Sequence, residues 1–112
     1  MKIAIIGSRS ITVENLERYL LDCDEIVSGG AKGVDTSAAQ YAIKNGIKLT
    51  EFLPDYRHFG RGAPLIRNKN IVDYADKIIA FWDGRSKGTL SVINYAKKIG
   101  KECEIIICHI SE

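Results

Sequence analysis

Three short apolar runs, each ending in a loop that contains glycine and serine or threonine, constrain this chain more than any other feature. The runs start at Ile3, Ile26 and Ile78, and their loops occupy 7–9, 28–33 and 83–89. Continuous runs of β-branched residues are typical of strands that are covered on both faces in a parallel sheet. Apolar residues at the spacing of a helix follow each loop. The pattern therefore predicts a strand, a loop and a helix each time.

The rest of the chain continues this alternation and predicts an α/β fold. We place strands at 2–6, 25–28, 47–53, 77–82 and 104–108, and helices at 12–23, 34–45, 64–74 and 89–99. The segment 56–63 is predicted to be a loop because it contains two glycines. Such alternation requires right-handed crossovers. We therefore predict one Rossmann-like three-layer domain over 1–112, with a five-stranded parallel sheet in the order 3-2-1-4-5 and helices on both faces.

This strand order predicts where a ligand binds. The chain reverses direction between the first and fourth strands, and ligands bind outside the carboxyl ends of the strands at such a point. Glycine lets the backbone approach a ligand closely, and a helix start presents N–H groups that favour anions. The predicted ligand-binding residues are Gly7, Ser8, Arg9, Ser28, Gly29, Gly30, Lys32, Gly33, Asp35, Arg67, Asn68, Asp83, Gly84, Ser86, Gly88 and Thr89.

These residue types suit a phosphate joined to a sugar. The guanidinium of Arg9, beside a helix start, offers phosphate a bidentate partner. Asp35 and Asp83 are expected to accept hydrogen bonds from sugar hydroxyls, although Asp35 can instead orient Lys32. Each glycine loop can also serve as a turn without any ligand.

Composition narrows the class of protein. The chain has 112 residues, of which 46% are hydrophobic, enough for one core. Its net charge of +2 is too small to predict nucleic-acid binding by itself. No apolar run approaches the roughly 20 residues of a membrane span, and no signal-peptide cleavage pattern is present, so we expect a cytoplasmic protein. The cysteines and histidines have no metal-ligand spacing, so no metal and no cofactor are predicted.

A basic segment follows the third predicted strand. Acidic residues are absent between Asp55 and Asp73, and two aromatic residues lie among the basic ones there: Tyr56, Arg57, His58, Phe59, Arg61, Arg67 and Lys69. Such a segment can hold a phosphate backbone and stack a base, as in single-stranded nucleic-acid binding. It can equally form a lid over a nucleotide, or an ordinary charged surface loop.

Four motifs in order along the chain, 7–9, 28–35, 67–70 and 83–89, resemble the SLOG superfamily and specifically its small YspA-like, YpsA-related branch. The chain is more distantly similar to the DNA-processing protein A (Smf) family and to LONELY GUY phosphoribohydrolases. The resemblance implies a Rossmann-like fold that binds nucleotide-derived ligands or single-stranded DNA. Fold resemblance alone does not decide between these functions.

One departure from the phosphoribohydrolases bears on catalysis. Aligning Gly88 and Thr89 with their GT motif puts Val92 where their catalytic glutamate would lie. An N-glycosidic hydrolase would then depend on Asp83, Asp35 or Arg67. The sequence favours a domain that binds or senses a nucleotide-like ligand. Single-stranded DNA binding through Arg57, Arg61, Arg67 and Lys69, nucleoside monophosphate hydrolysis, and assembly as a homodimer remain open.

Overall fold

The computed structural model describes residues 1–30 and 33–108, and within these ranges five strands form one parallel sheet. The strands are β1 (Lys2–Gly7), β2 (Glu25–Ser28), β3 (Lys48–Glu51), β4 (Lys77–Trp82) and β5 (Cys103–Ile107). The helices are α1 (Val34–Asn45), α2 (Tyr56–Phe59), α3 (Ala63–Tyr74) and α4 (Lys87–Ile99), with 3-10 turns at Leu16–Tyr19 and Gly60–Gly62. The strand order β3-β2-β1-β4-β5 confirms the predicted topology.

The central strand β1 shows why helices cover both faces. Its residues Ile3 to Ile6 are at most 7% exposed. Because side chains alternate along a strand, Ile3 and Ile5 pack in one core, with α1. Ala4 and Ile6 pack in the other core, with α3 and α4. The predicted three-layer fold is therefore confirmed.

The register between β1 and β4 brings two of the predicted loops to one edge of the sheet. Gly7 is paired with Phe81, and the Ser8 N–H donates to the Phe81 carbonyl oxygen at 3.2 Å. The backbone leaves the sheet directly after each of these strands, at 8–9 after β1 and at 83–86 after β4. β2 lies on the other side of β1, so its loop reaches the same edge.

The predicted helix at 12–23 is wrong. The structure has only the 3-10 turn Leu16–Tyr19 in this region. Ile11, Leu16 and Leu20 are buried, but the backbone makes i to i−3 hydrogen bonds: the Leu20 N–H donates to the Glu17 carbonyl oxygen at 3.3 Å, and the Cys23 N–H donates to the Leu20 carbonyl oxygen at 3.2 Å. The segment therefore buries its apolar residues without forming a continuous helix.

The predicted loop at 56–63 is also wrong. Asp55 caps α2 by accepting a hydrogen bond from the His58 N–H at 3.2 Å, and a 3-10 turn follows at Gly60–Gly62. Elsewhere the boundaries differ by a few residues, and α4 begins at Lys87 because Ser86 is its cap. Within 1–30 and 33–108, the helices are too short or too polar to cross a bilayer.

Candidate ligand-binding site

A cavity of 170 Å³ lies where β1, β2 and α1 approach α3 and α4. Nine of the predicted ligand-binding residues line it: Gly7, Arg9, Gly29, Asp35, Arg67, Asn68, Ser86, Gly88 and Thr89. The remaining lining residues, Ile6, Pro64, Ile71 and Val92, are largely apolar, and their types carried no signal for a site. The convergence expected from strand order is therefore present in the structure.

The other predicted residues do not line the cavity. Ser8, Ser28, Gly30, Gly33, Asp83 and Gly84 lie in the same loops without forming its wall. Lys32 lies outside the described residues. Several of these residues stabilise the loops through hydrogen bonds or through their backbone conformation.

Arg67 joins α3 to the ends of two strands. Its Nη1 donates to the carbonyl oxygens of Gly29 at 2.8 Å and Phe52 at 3.3 Å, and its Nε donates to Asn68 Oδ1 at 2.8 Å. Within the described residues, its Nη2 has no acceptor. Burial lowers the pKa of the Arg67 guanidinium, Asp35 opposes this decrease, and Arg9 adds to it. The group nevertheless stays charged, because arginine ionises far above neutral pH.

The position of Arg67 requires glycine at residue 29. A Cβ atom on Gly29 would lie 2.6 Å from Arg67 Nη1 and 3.2 Å from Asp35 Oδ2. Asp35 is 7% exposed. Its carboxylate and the Arg67 guanidinium both lie beside Gly29 at this end of the cavity. Gly29 therefore provides the space in which these two charged groups approach the backbone.

The backbone conformation at the start of α1 requires glycine at residue 33. Its φ of 75° lies in the left-handed region, where residues with a side chain are strained. A Cβ atom there would also lie 2.4 Å from the Arg9 carbonyl oxygen. Gly33 thus lets the start of α1 pack against the loop that carries Arg9.

The first turn of α4 is held by Asp83 and Ser86. Asp83 Oδ1 accepts from the N–H groups of Arg85 and Ser86, both at 2.8 Å, and these bonds lower the pKa of Asp83. Ser86 Oγ accepts from the Thr89 N–H at 3.4 Å. The N–H groups of Lys87 and Gly88 find no acceptor in the ranges 1–30 and 33–108. The first turn of α4 therefore presents unused donors beside Gly88.

Ser8 is 3% exposed, and its hydroxyl has no hydrogen-bond partner within the described residues. It lies near Asp83 and contributes to the lowered pKa of that carboxyl group. Ser28 is fully buried, and its Oγ accepts from the Gly30 N–H at 3.2 Å.

The cavity wall carries more positive than negative charge. Arg9 lies close enough to Arg67 to help lower the pKa of the Arg67 guanidinium, and Asp35 is the neighbouring carboxylate. Val92, which is fully buried, contributes an apolar side chain to the wall. The cavity thus combines two guanidinium groups, a helix start and an apolar floor.

A larger groove of 610 Å³ lies away from the strand ends, between 12–17 and α1. None of the predicted ligand-binding residues lines it. It occupies the region where the sequence predicted a helix. Because none of the predicted loops reaches this groove, the smaller cavity is the better candidate.

The basic segment lies on the surface next to the cavity. Tyr56 and Phe59 are 58% and 50% exposed, and Arg57 and Arg61 are also exposed. Tyr56 lies within electrostatic range of Arg67. Lys69 is exposed, and its Nζ lies 5.8 Å from the centre of the Tyr95 ring. Of the four predicted DNA-contacting residues, Arg67 alone lines the cavity.

Comparisons with known proteins agree with this fold. A solved structure of DNA processing protein A from Helicobacter pylori, from a study of its single-stranded DNA binding mode, matches with a TM-score of 0.74 and 24% identity. The match covers all of this chain and 67% of that chain. No curated protein sequence matches significantly. The model of the YspA, cpYpsA-related SLOG family matches residues 1–59, just over half of the chain. The chain therefore belongs to the YspA, cpYpsA-related SLOG family.

Proposed function

We propose that this protein binds a nucleotide or a nucleotide-derived phosphate compound in the cavity at the carboxyl ends of the strands. The observation that carries the proposal is the meeting of Arg9, Arg67 and the first turn of α4 around one cavity. Two like-charged guanidinium groups repel each other, and an anion between them removes that repulsion. Membership of a SLOG family and the fold shared with DNA processing protein A both favour nucleotide or nucleic-acid binding.

Each part of the cavity wall would contact a different part of the ligand. The unused Nη2 of Arg67 and the free N–H groups at the start of α4 would hold phosphate oxygens, because such donors favour anions. Asp35 would accept a hydrogen bond from a sugar hydroxyl. The side chains of Ile6, Ile71 and Val92 would contact the apolar face of the sugar.

The size of the cavity limits what it encloses. Pockets that enclose a drug-sized ligand have volumes of roughly 300–1,000 Å³. A cavity of 170 Å³ is therefore expected to enclose the phosphate and sugar, while the base lies outside it. We expect compounds with one terminal phosphoribosyl group to bind.

A thermal-shift and calorimetric comparison tests the proposal. AMP and ADP-ribose are expected to stabilise the wild-type protein, by about 2.7 kcal/mol when a compound is present at 100 times its Kd. Gly88→Glu is expected to abolish this response, because a carboxylate would occupy the anion site. A Cβ atom at Gly88 meets open space, so the matched control Gly88→Ala should bind normally. A wild-type protein that responds to no nucleotide would contradict the proposal.

A second candidate function is single-stranded DNA binding, and the exposed segment beside the cavity is the observation that favours it. Tyr56 and Phe59 offer two exposed rings, and Arg57 and Arg61 supply charge next to them. Stacking on aromatic rings combined with phosphate contacts is how many proteins hold single strands. The H. pylori protein that shares this fold binds single-stranded DNA.

Salt dependence separates the two functions. Binding of a labelled oligothymidine should weaken steeply with salt, because each phosphate contact releases counterions. The double variant Arg57→Ala with Arg61→Ala should lower the slope of log K against log salt by about 1.4, since each contact contributes about 0.7. The same variant should leave AMP binding nearly unchanged. DNA binding with an unaltered slope would count against this candidate.

A further inference from the structure

Two polar side chains connect Arg67 on α3 with the first turn of α4. Asn68 Oδ1 accepts from Arg67 Nε at 2.8 Å, and Asn68 Nδ2 donates to Ser91 Oγ at 3.0 Å. Ser91 Oγ donates to the Gly88 carbonyl oxygen at 2.7 Å. Ser91 does not line the cavity, and no sequence motif marks it, whereas Asn68 is part of the cavity wall. These hydrogen bonds therefore form a relay that connects Arg67 with the first turn of α4.

The chemistry of the relay permits one orientation of the Asn68 amide. Arg67 Nε can only donate, so it must face the amide oxygen of Asn68. The Ser91 hydroxyl gives its hydrogen to the Gly88 carbonyl oxygen and can then only accept from Asn68 Nδ2. A flipped amide would set donor against donor at Arg67. Asn68 thus directs its amide oxygen to Arg67 and its amide nitrogen to Ser91 while it also lines the cavity.

The relay completes the restraint of Arg67. On one side its Nη1 is held by the carbonyl oxygens of Gly29 and Phe52, and on the other side its Nε is held by Asn68. A planar guanidinium that is held at two of its nitrogens has a fixed plane, and the third nitrogen, Nη2, then has a fixed direction. Without Asn68 the guanidinium can rotate about the remaining contacts.

We propose that Asn68 and Ser91 are positioning residues that hold Arg67 at a fixed distance from the start of α4 for anion binding. This inference rests on the proposed function, since it assigns Arg67 and Gly88 to one ligand. Ser91 acts through Asn68 and does not touch the ligand. Its removal should therefore weaken binding without unfolding the protein, because alanine is a better helix former than serine.

The binding experiment compares three variants by calorimetry with AMP and ADP-ribose. Ser91→Ala should weaken binding about five-fold, the loss expected for one hydrogen bond that orders a charged group. Ser91→Thr keeps the hydroxyl and should bind within about two-fold of the wild type. Asn94→Ala, an exposed position on the same helix, is the matched control and should change nothing. Equal affinity of Ser91→Ala and the wild type would overturn the proposal.

A spectroscopic readout on the ligand-free protein separates this inference from the proposed function. The Arg67 Nε–H resonance, assigned by its loss in Arg67→Lys, should exchange slowly with solvent in the wild type and in Ser91→Thr. It should exchange several-fold faster in Ser91→Ala. If neither compound binds the wild type, the proposed function fails and this comparison alone decides the inference. Equal exchange in Ser91→Ala and the wild type would overturn it.

Discussion

Charged groups at the amino and carboxyl ends of the strands differ in how completely they are hydrogen-bonded within the protein. At the amino ends of β2 and β3, the buried carboxylate of Glu25 accepts from the Tyr74 hydroxyl at 2.5 Å and from Thr50 Oγ1 at 2.8 Å. Lys48 Nζ lies 3.5 Å from the same carboxylate. At the carboxyl ends, Arg67 and the start of α4 keep donors that have no acceptor among residues 1–30 and 33–108. The first edge satisfies its charge internally, and the second leaves part of its charge for another molecule.

Under the proposed function, this contrast separates residues that stabilise the fold from residues that bind the ligand. Paired polar groups in a protein interior stabilise the fold, and their loss leaves costly unsatisfied partners. Unused donors beside a cavity contribute little to the fold and become valuable when an anion arrives. Substitutions at the amino edge should therefore change stability, and substitutions at the carboxyl edge should mainly change binding.

The largest effect is expected for Glu25→Ala. The Tyr74 and Thr50 hydroxyls would lose their shared acceptor, and we expect unfolding free energy to fall by about 3 kcal/mol. Chemical denaturation measures this change. AMP affinity, measured below the lowered midpoint, should stay within about two-fold of the wild type. A large loss of affinity would break the proposed separation of the two edges.

Arg67→Ala is expected to weaken AMP binding about 100-fold, which corresponds to about 2.7 kcal/mol. The variant also removes the donor to the Gly29 and Phe52 carbonyl oxygens, so a smaller loss of stability should accompany it. Arg67→Lys keeps the charge but loses the planar fork, and should give intermediate affinity. Calorimetry measures both. Unchanged affinity in Arg67→Ala would contradict the assignment of Arg67 to the site.

Tyr74→Phe tests the amino edge through its pH dependence. The Tyr74 hydrogen bond, followed by that of Thr50, lowers the pKa of Glu25. A carboxyl group with a lowered pKa in the folded state contributes stability that is complete above its unfolded pKa and is lost as pH falls through its folded pKa. We expect Tyr74→Phe to lower the free energy of unfolding at pH 7, and to lower it by less at pH 3. Denaturation at several pH values checks this, and a pH-independent difference would contradict it.

The smallest effect is expected for Arg9→Gln. Arg9 is exposed and makes no hydrogen bond within 1–30 and 33–108, so stability should stay within about 0.5 kcal/mol. AMP affinity should fall about five-fold, because one charge leaves the cavity wall. Arg18→Gln, which lies far from the cavity, is the matched control. Equal affinities of the Arg9→Gln and Arg18→Gln variants would remove Arg9 from the site.

The sequence predicts the sheet and the location of the cavity well, for a physical reason. The β-branched runs at Ile3 and Ile78 are buried on both faces, so only parallel strands with helices on either side can accommodate them. Once the strand order follows, the carboxyl ends of the strands must meet. The nine lining residues that were predicted all come from the loops, α1, α3 and α4 at that edge.

The failures of prediction have local and long-range causes. The spacing of Leu16 and Leu20 correctly indicates burial, but the backbone there forms a 3-10 turn with i to i−3 hydrogen bonds instead of a helix. Asp55 was a recognisable cap for α2, whereas the glycines that follow it suggested a loop. Asn68 and Ser91 are 23 positions apart, so no local pattern reveals their hydrogen bond.

The most direct test is a nuclear magnetic resonance titration of the backbone N–H groups with AMP. We predict that the resonances of Gly7, Gly29 and Gly88 shift together and saturate at one Kd, while those of Glu25 and Thr50 at the opposite edge stay in place. Shifts confined to Gln40 and Tyr41 in the larger groove, or no shifts at millimolar AMP, would contradict the account.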